Sequence, residues 1–331
     1  MIASRWFSAF PLLFALSAAQ FSARLLADET ADTPLPGAKP VPRMQVLPLP
    51  NGQISITRDG KELTRYYYGA NLPRPFLYPV NGPSGRSLTR MGHPHDPNGH
   101  SHHNSVWVSH NEVNGVNFWA DGQPGQIQHA RFEQFLDGDD QAVIQTHNIW
   151  LDTQNHRPLL NEMRTIRAMA LDNDEWLLAI DLHLTARQPT VTFGDSAFGP
   201  LGVRMAKTIG VHDGGGTIRN SEGQVDEEKV FRQPAKWVDF SGPITPEARE
   251  GITLMNHPDN PTFPSAFHVR NDGWMGATLS YQKPVELRQG ETLALRYGLY
   301  IHRGVASTER IEQVFQQYVQ LPLLPTREKK R

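Results

Sequence analysis

The sequence predicts an all-β protein: an antiparallel β-sandwich closed by one C-terminal helix. Three observations predict it. With 27 Gly and 26 Pro in 331 residues, chain breakers recur too often for long helices. From Gln53 to His302, short β-branched and aromatic runs alternate with Asp/Asn/Gly turns, the spacing of sandwiches and barrels. A helical apolar period appears only at the end, where Ile311, Val314, Phe315, Tyr318 and Val319 fall on one face behind a candidate N-cap, Ser307.

In order along the chain, Arg5 precedes the apolar run Trp6–Ala19, with small residues following. The run is shorter than the ~20 residues a membrane span needs, and Pro11 interrupts it. Residues 1–27 therefore read as a secretory signal peptide, which predicts a periplasmic or secreted protein without stable membrane insertion. Residues 28–50 read as a Pro-rich linker, 51–320 as a single sandwich domain and 321–331 as a solvated tail. Gln53–Arg58 and Lys61–Tyr68 flank Asp59-Gly60, a hairpin signal. Leu72–Tyr78 carries two prolines and reads as an edge strand or loop. Further strands are expected at Gln126–Leu136, Gln141–Leu151, Leu160–Ala170, Glu175–Thr185 and Thr190–Phe193. Phe193–Gly202 reads as a crossing loop and Pro243–Pro264 as loop-rich. Strands return at Ser265–Arg270, Met275–Tyr281, Pro284–Arg288 and Thr292–His302.

Composition excludes several classes. The 32 basic and 34 acidic side chains leave a formal net charge of −2, with no basic stripe for nucleic acid. The absence of cysteine removes disulfides, thiolate nucleophiles and Cys-ligated zinc. No GxxxxGK[ST] phosphate loop, HEXXH or GxSxG elbow occurs.

The chemistry concentrates between His93 and Trp119. Six of the chain's 14 histidines lie between His93 and His110, and histidine is both the usual neutral-pH acid/base and the commonest metal ligand. On a strand, His102, Asn104, Val106, Val108 and His110 would share one face, and His103, Ser105, Trp107 and Ser109 the other. If Val106 and Val108 enter the core, His103, Ser105 and Trp107 face a cleft, with the indole as a platform for a sugar ring. If Trp107 anchors the core, His102 and Asn104 become the exposed pair. His93-x-His95 and His100-x-His102 are spaced as chelating pairs for one divalent transition metal, and the ligand types do not choose the ion. Structural histidines ordering a Gly/Pro/Asn loop are the plainer alternative.

Elsewhere, Glu162 is either half of a surface ion pair with Arg164 or a carboxylate facing the cleft. Glu222 is a turn former or a positioned base. His268, beside Arg270 in FHVR, repeats the His/Pro/Asn texture of the main window.

Together with FGDSAFGPLGVR, RNSEGQ, NHPDNPTFPSAFHVR and LRQGETLALRYGLYIHRG, the block HSHHNSVWVSHNEVNGVNFW resembles exported bacterial proteins labelled methane oxygenase PmoA, or PmoA-like, from about Gln53 to Tyr318. The resemblance implies a sandwich similar to the galactose mutarotase-like folds of sugar epimerases and polysaccharide-processing enzymes. It thereby implies a sugar or glycan substrate and a carbohydrate-active lyase, hydrolase or epimerase. In such sites a carboxylate and a histidine share proton transfer, and His103 with Glu162 or Glu222 is the pairing offered here. A non-catalytic glycan-binding module and, following the label, a metal-dependent oxidase or oxygenase are the other readings. The catalytic candidates are His102, His103, His110, Glu162, Glu222 and His268. Candidate substrate contacts are Ser105, Trp107, Asn114, Trp119, Arg204 and Arg270. Candidate metal ligands are His93, His95, His100 and His102.

Overall fold

The structure is a computed structural model that describes residues 37, 40–93, 95–96 and 99–325. The expected signal peptide and the last six residues lie outside the described residues. The first strands are β1 (Met44–Leu49), β2 (Gln53–Arg58), β3 (Lys61–Tyr67), β4 (Phe76–Val80) and β5 (Val106–Val108). Four long ones follow: β6 (Gly125–Leu136), β7 (Gln141–Asp152), β8 (Arg157–Ala170) and β9 (Trp176–Ala186). Next come β10 (Thr190–Phe193), β11 (Pro200–Arg204), the one-turn helix α1 (Val211–Gly214), β12 (Thr217–Asn220) and a second single turn, α2 (Glu227–Val230). The chain continues through β13 (Pro234–Ala235), β14 (Trp237–Pro243), β15 (Arg249–Asn256), β16 (Ser265–Arg270) and β17 (Trp274–Thr278). Last are β18 (Val285–Arg288), β19 (Thr292–Arg303) and the terminal helix α3 (Thr308–Val319).

Two large antiparallel sheets form the sandwich. One has nine strands in the order β1-β2-β3-β4-β5-β11-β17-β16-β13, the other eight in the order β12-β14-β15-β19-β9-β8-β7-β6. A ribbon of β10 and β18 stands beside them. The period-2 alternation of a strand sets which side chains meet. On β9, Leu178, Ile180, Leu182 and Leu184 enter the inter-sheet core. Leu177 and Ala179 point the other way, under Ile311, Val314, Phe315 and Tyr318 of α3. Burying each such side chain contributes roughly 1.5–3 kcal/mol. Ser307 caps α3, its Oγ accepting from the Arg310 N–H at 3.2 Å. The expected sandwich with a C-terminal helix is therefore what forms. Among the described residues, no helix is long and apolar enough to cross a membrane.

Three local expectations are corrected. Residues 44–49, inside the stretch that composition marks as linker, form β1, and Pro48 is tolerated because β1 is the sheet edge. The proline-containing segment after Leu72 yields β4, an interior strand between β3 and β5. There the register slips between Thr64 and Tyr66, so that Thr64 faces Val80 and Tyr66 faces Leu77, and the irregularity accommodates Pro79. Pro243–Pro264 is only partly loop, because β15 pairs with both β14 and β19 inside it.

Candidate functional site

The site grows from the outer face of the nine-stranded sheet. Val106 and Val108 on β5 enter the main core, so Trp107 between them turns outward. It joins Phe76, Trp119 and Trp274 in a separate aromatic cluster. The sheet beneath is kept bare for these rings: Gly202 on β11 faces Trp107 on one side and Gly276 of β17 on the other. A Cβ at Gly202 would stand 2.6 Å from the Trp274 ring and 2.9 Å from the Trp107 ring, and one at Gly276 would stand 2.9 Å from Trp274. Two side-chain-free positions thus let the indoles lie on the sheet. The centroids of Trp107, Trp119 and Trp274 are 5.2–5.6 Å apart.

Above this floor is a cavity of about 510 Å³. One wall is the histidine segment, which folds as turns and not as a strand before Val106. His103 stacks on Trp107 and Trp274, each 5.5 Å away, and His102 stands edge-on to it at 4.6 Å. Arg74, fully buried, holds this wall to the Trp119 loop. Its guanidinium donates to the carbonyls of Phe118, Trp119 and His102 and to Asn104 Oδ1 and Asp121 Oδ1, at 2.7–3.4 Å. The opposite wall carries Phe198 and His268. His268 Nδ1 lies 3.1 Å from the Ala197 carbonyl, which can only accept. The proton therefore sits on Nδ1 and Nε2 keeps its lone pair. A third side is Arg204 with Asp272, whose other oxygen binds His93 Nε2 at 2.8 Å.

Burial sets the protonation of this wall. It pushes His103 down to about 2, helped by the neighbouring His102 and by the Arg204 charge. It brings His102 to about 4, with the Arg74 charge adding to the effect. His268 also falls to about 4 through burial, opposed by its bond to the Ala197 carbonyl. All three imidazoles are neutral at pH 7, so each carries one unprotonated nitrogen that can accept a hydrogen bond.

Of the sequence candidates, His100, His102, His103, Trp119, Arg204, His268 and Arg270 line this cavity. Others are placed elsewhere. Ser105 is fully buried and donates to Thr89 Oγ1 at 2.7 Å; its φ of 61° breaks the alternation assumed for a strand. Trp107 is the floor beneath the cavity, 1% exposed, and not an open platform. His110 is sealed in, its Nε2 donating to Ser280 Oγ at 2.9 Å and its Nδ1 accepting from the Glu112 N–H at 3.1 Å. Glu162 is neither surface nor cleft: it lies inside the sandwich, bound by Arg164, Asn148 and the Trp150 indole N–H. Glu222 sits in the turn after β12, accepting from the Ser221 hydroxyl at 2.8 Å. Neither carboxylate lines the cavity, so the pairing with His103 does not form. Asn114, in a turn with φ of 51°, ties that turn to β10 through Thr190 and Thr192.

The chelating pairs do not form as drawn either. His93 Nε2 is taken by Asp272, His95 Nε2 by Asp213 and His100 Nδ1 by Asp96, at 2.7–2.8 Å. Among the described residues, no three His, Asp or Glu side chains form a metal-ligand group. The residues missed from sequence are Asn111, Asn117, Phe198, Asp272 and Trp274 in the cavity, with Arg74 behind it. Asp272-Gly273-Trp274 follows FHVR after the single residue Asn271, and reading that turn with its strand is the signal that would have found two of them.

Residues 53–316 match a family of unknown function, DUF6807. No curated protein matches the sequence. Among solved structures, a mutant heparan sulfate lyase from Pedobacter heparinus is similar at 13% identity and a TM-score of 0.37, over 82% of this chain and 38% of that one. A 4-alpha-glucanotransferase from Thermococcus litoralis is similar at 9% identity and a TM-score of 0.33, over 80% and 40%. A GalM/aldose epimerase homologue from C. elegans is similar at 8% identity and a TM-score of 0.31, over 78% and 98%. The chain thus spans about two fifths of the length of the first two.

Proposed function

The chain belongs to the DUF6807 family, and we propose that it is an exported sugar-binding enzyme that moves a proton on a pyranose held in the histidine-lined cavity. One observation carries the proposal: three neutral imidazoles and three aromatic faces meet in a single cavity. Aromatic faces suit the apolar side of a pyranose, while neutral imidazoles accept or donate to its hydroxyls. About 510 Å³ is room for one or two sugar units. In this reading His268 is the general base, because its tautomer is fixed with Nε2 unprotonated. His102 and His103 hydrogen-bond the sugar from the facing wall. Lyases, hydrolases and epimerases share such a proton transfer. Export rests on the N-terminal apolar run, and kinship with the PmoA-like proteins rests on the motif blocks around the histidines and FHVR.

The test is a panel of mono- and oligosaccharides, screened first for binding through tryptophan fluorescence and then for turnover. On a substrate so found, His268→Asn keeps a donor for the Ala197 carbonyl but removes the base. It is expected to lower kcat by ~10²–10⁴-fold and leave binding within a few-fold. Binding without turnover in the unaltered protein would reassign the cavity to a glycan-binding module. A panel in which nothing binds would end the sugar reading.

A further inference from the structure

The cavity contains a cation that its own protein neighbours leave half used. Arg204, at the end of β11, is fully buried and lines the cavity. Its Nη1 donates to Asp272 Oδ1 at 2.9 Å, but Nε and Nη2 are buried with no hydrogen-bond partner. Those two N–H groups share one edge of the guanidinium, the edge that meets the two oxygens of a carboxylate side by side. Buried donors are rarely left unpaired without a reason.

The side chains around that edge are engaged elsewhere. Asp272 serves both Arg204 and His93. Arg90, held below its ordinary value by burial and by the nearby Arg204 charge, donates to the Gly92 carbonyl and has its Nε unpartnered. Asp213, the next carboxylate, is engaged by His95. Two guanidiniums therefore face two carboxylates, Asp272 in contact with Arg204 and Asp213 acting through space, and Trp274, the cross-strand neighbour of Arg204, sets indole surface beside them.

Resting on the sugar-cavity reading above, we infer that the bound sugar is acidic: a hexuronic acid whose carboxylate seats on the Nε/Nη2 edge of Arg204 while its ring lies against Trp119 and Trp274. A neutral hexose offers that edge only uncharged hydroxyl oxygens, which accept more weakly and not as a matched pair. A carboxylate satisfies both donors at once with charge-assisted, side-by-side bonds.

The experiment uses the full-length protein and matched ligands: glucuronate-, galacturonate- and mannuronate-containing oligosaccharides, each beside its carboxyl-reduced counterpart, titrated by calorimetry at constant ionic strength. For at least one pair the acid form is expected to bind at least about tenfold more tightly. In Arg204→Lys, which keeps the charge but loses the fork, that preference is expected to fall to within about threefold. Equal binding of both members of every pair overturns the inference and leaves the sugar reading standing. Binding of neither member of any pair overturns both. Should Arg204→Lys fail to fold, the matched pairs in the unaltered protein decide alone.

Discussion

Arg74 shows how much of this site depends on a residue that never enters the cavity. Fully buried, it spreads five hydrogen bonds over the histidine wall and the Trp119 loop. Its removal leaves the Trp119 carbonyl and the Asn104 amide oxygen buried without a donor, each costing about 1–3 kcal/mol, while the Phe118 carbonyl keeps the Ser109 hydroxyl. Arg74→Ala is therefore expected to lose about 3–5 kcal/mol in urea unfolding, and Arg74→Lys to recover only part of it, because an ammonium lacks the planar fork. An unchanged unfolding midpoint in Arg74→Ala would show that the two walls hold without it. Sequence alone could not reveal this residue, since a buried arginine serving carbonyls leaves no period and no motif. The histidine block was legible because crowding is visible in one dimension. Which of its members reach the cavity was not. Ser105, in a left-handed backbone, is tied to Thr89, 16 residues away, and His110 is sealed against Ser280, 170 residues away.

At the scale of elements, the decisive pieces are β11 and β17, whose glycines face each other under the indoles. Gly202 and Gly276 look like ordinary loop and strand punctuation in the sequence; only the pairing of strands some 70 residues apart makes them a bed for Trp107 and Trp274. Gly202→Ala inserts a methyl 2.6 Å from one ring and 2.9 Å from the other, so at least one indole has to lift. Overpacking of this kind costs about 1–3 kcal/mol. It should appear as a lower Tm together with an altered near-UV circular dichroism spectrum. If both match the unaltered protein, the rings are not seated on the glycines as described. By contrast, α3 and the long strands were readable, since each carries its own period: the apolar stripe from Ile311 to Tyr318, and the alternation along β9 and β19. The interior position of β4 was hidden because its prolines argue for an edge, and the register slip that absorbs Pro79 involves β3 as much as β4.

For the whole molecule, buried histidines of opposite kinds set the dependence of stability on pH. His102, His103, His110 and His268 are held below their ordinary value chiefly by burial. They are neutral in both states above the unfolded value of about 6.5, where they add no pH dependence. As the pH falls below that value the unfolded chain binds protons that the fold refuses, and stability is lost progressively toward pH 4, where three of the four begin to titrate in the fold. Each group contributes a slope of up to about 1.4 kcal/mol per pH unit. His302 has the opposite sign. Its Nδ1 lies 3.2 Å from the Arg303 carbonyl and its Nε2 2.8 Å from Asp239 Oδ1, a setting for a doubly protonated ring, and Asp239 holds its value above the ordinary one. Its stabilisation is complete below the unfolded value and is lost only as the pH rises through its raised one. Asp239, held below its ordinary value by His302 and Arg219 against the effect of burial, keeps its own contribution until the pH drops under the carboxylate range. Between pH 6.5 and 4 the His302 pair is therefore constant and the low-lying histidines govern the slope. Urea unfolding at fixed ionic strength should show stability falling steadily from pH 6.5 to pH 4. His110→Asn, even if less stable throughout, should show a shallower fall by up to about 1.4 kcal/mol per pH unit. A flat profile across that range would mean that these histidines take up protons in the folded protein as readily as in the unfolded chain, and the neutral wall assigned to the cavity would have to be abandoned.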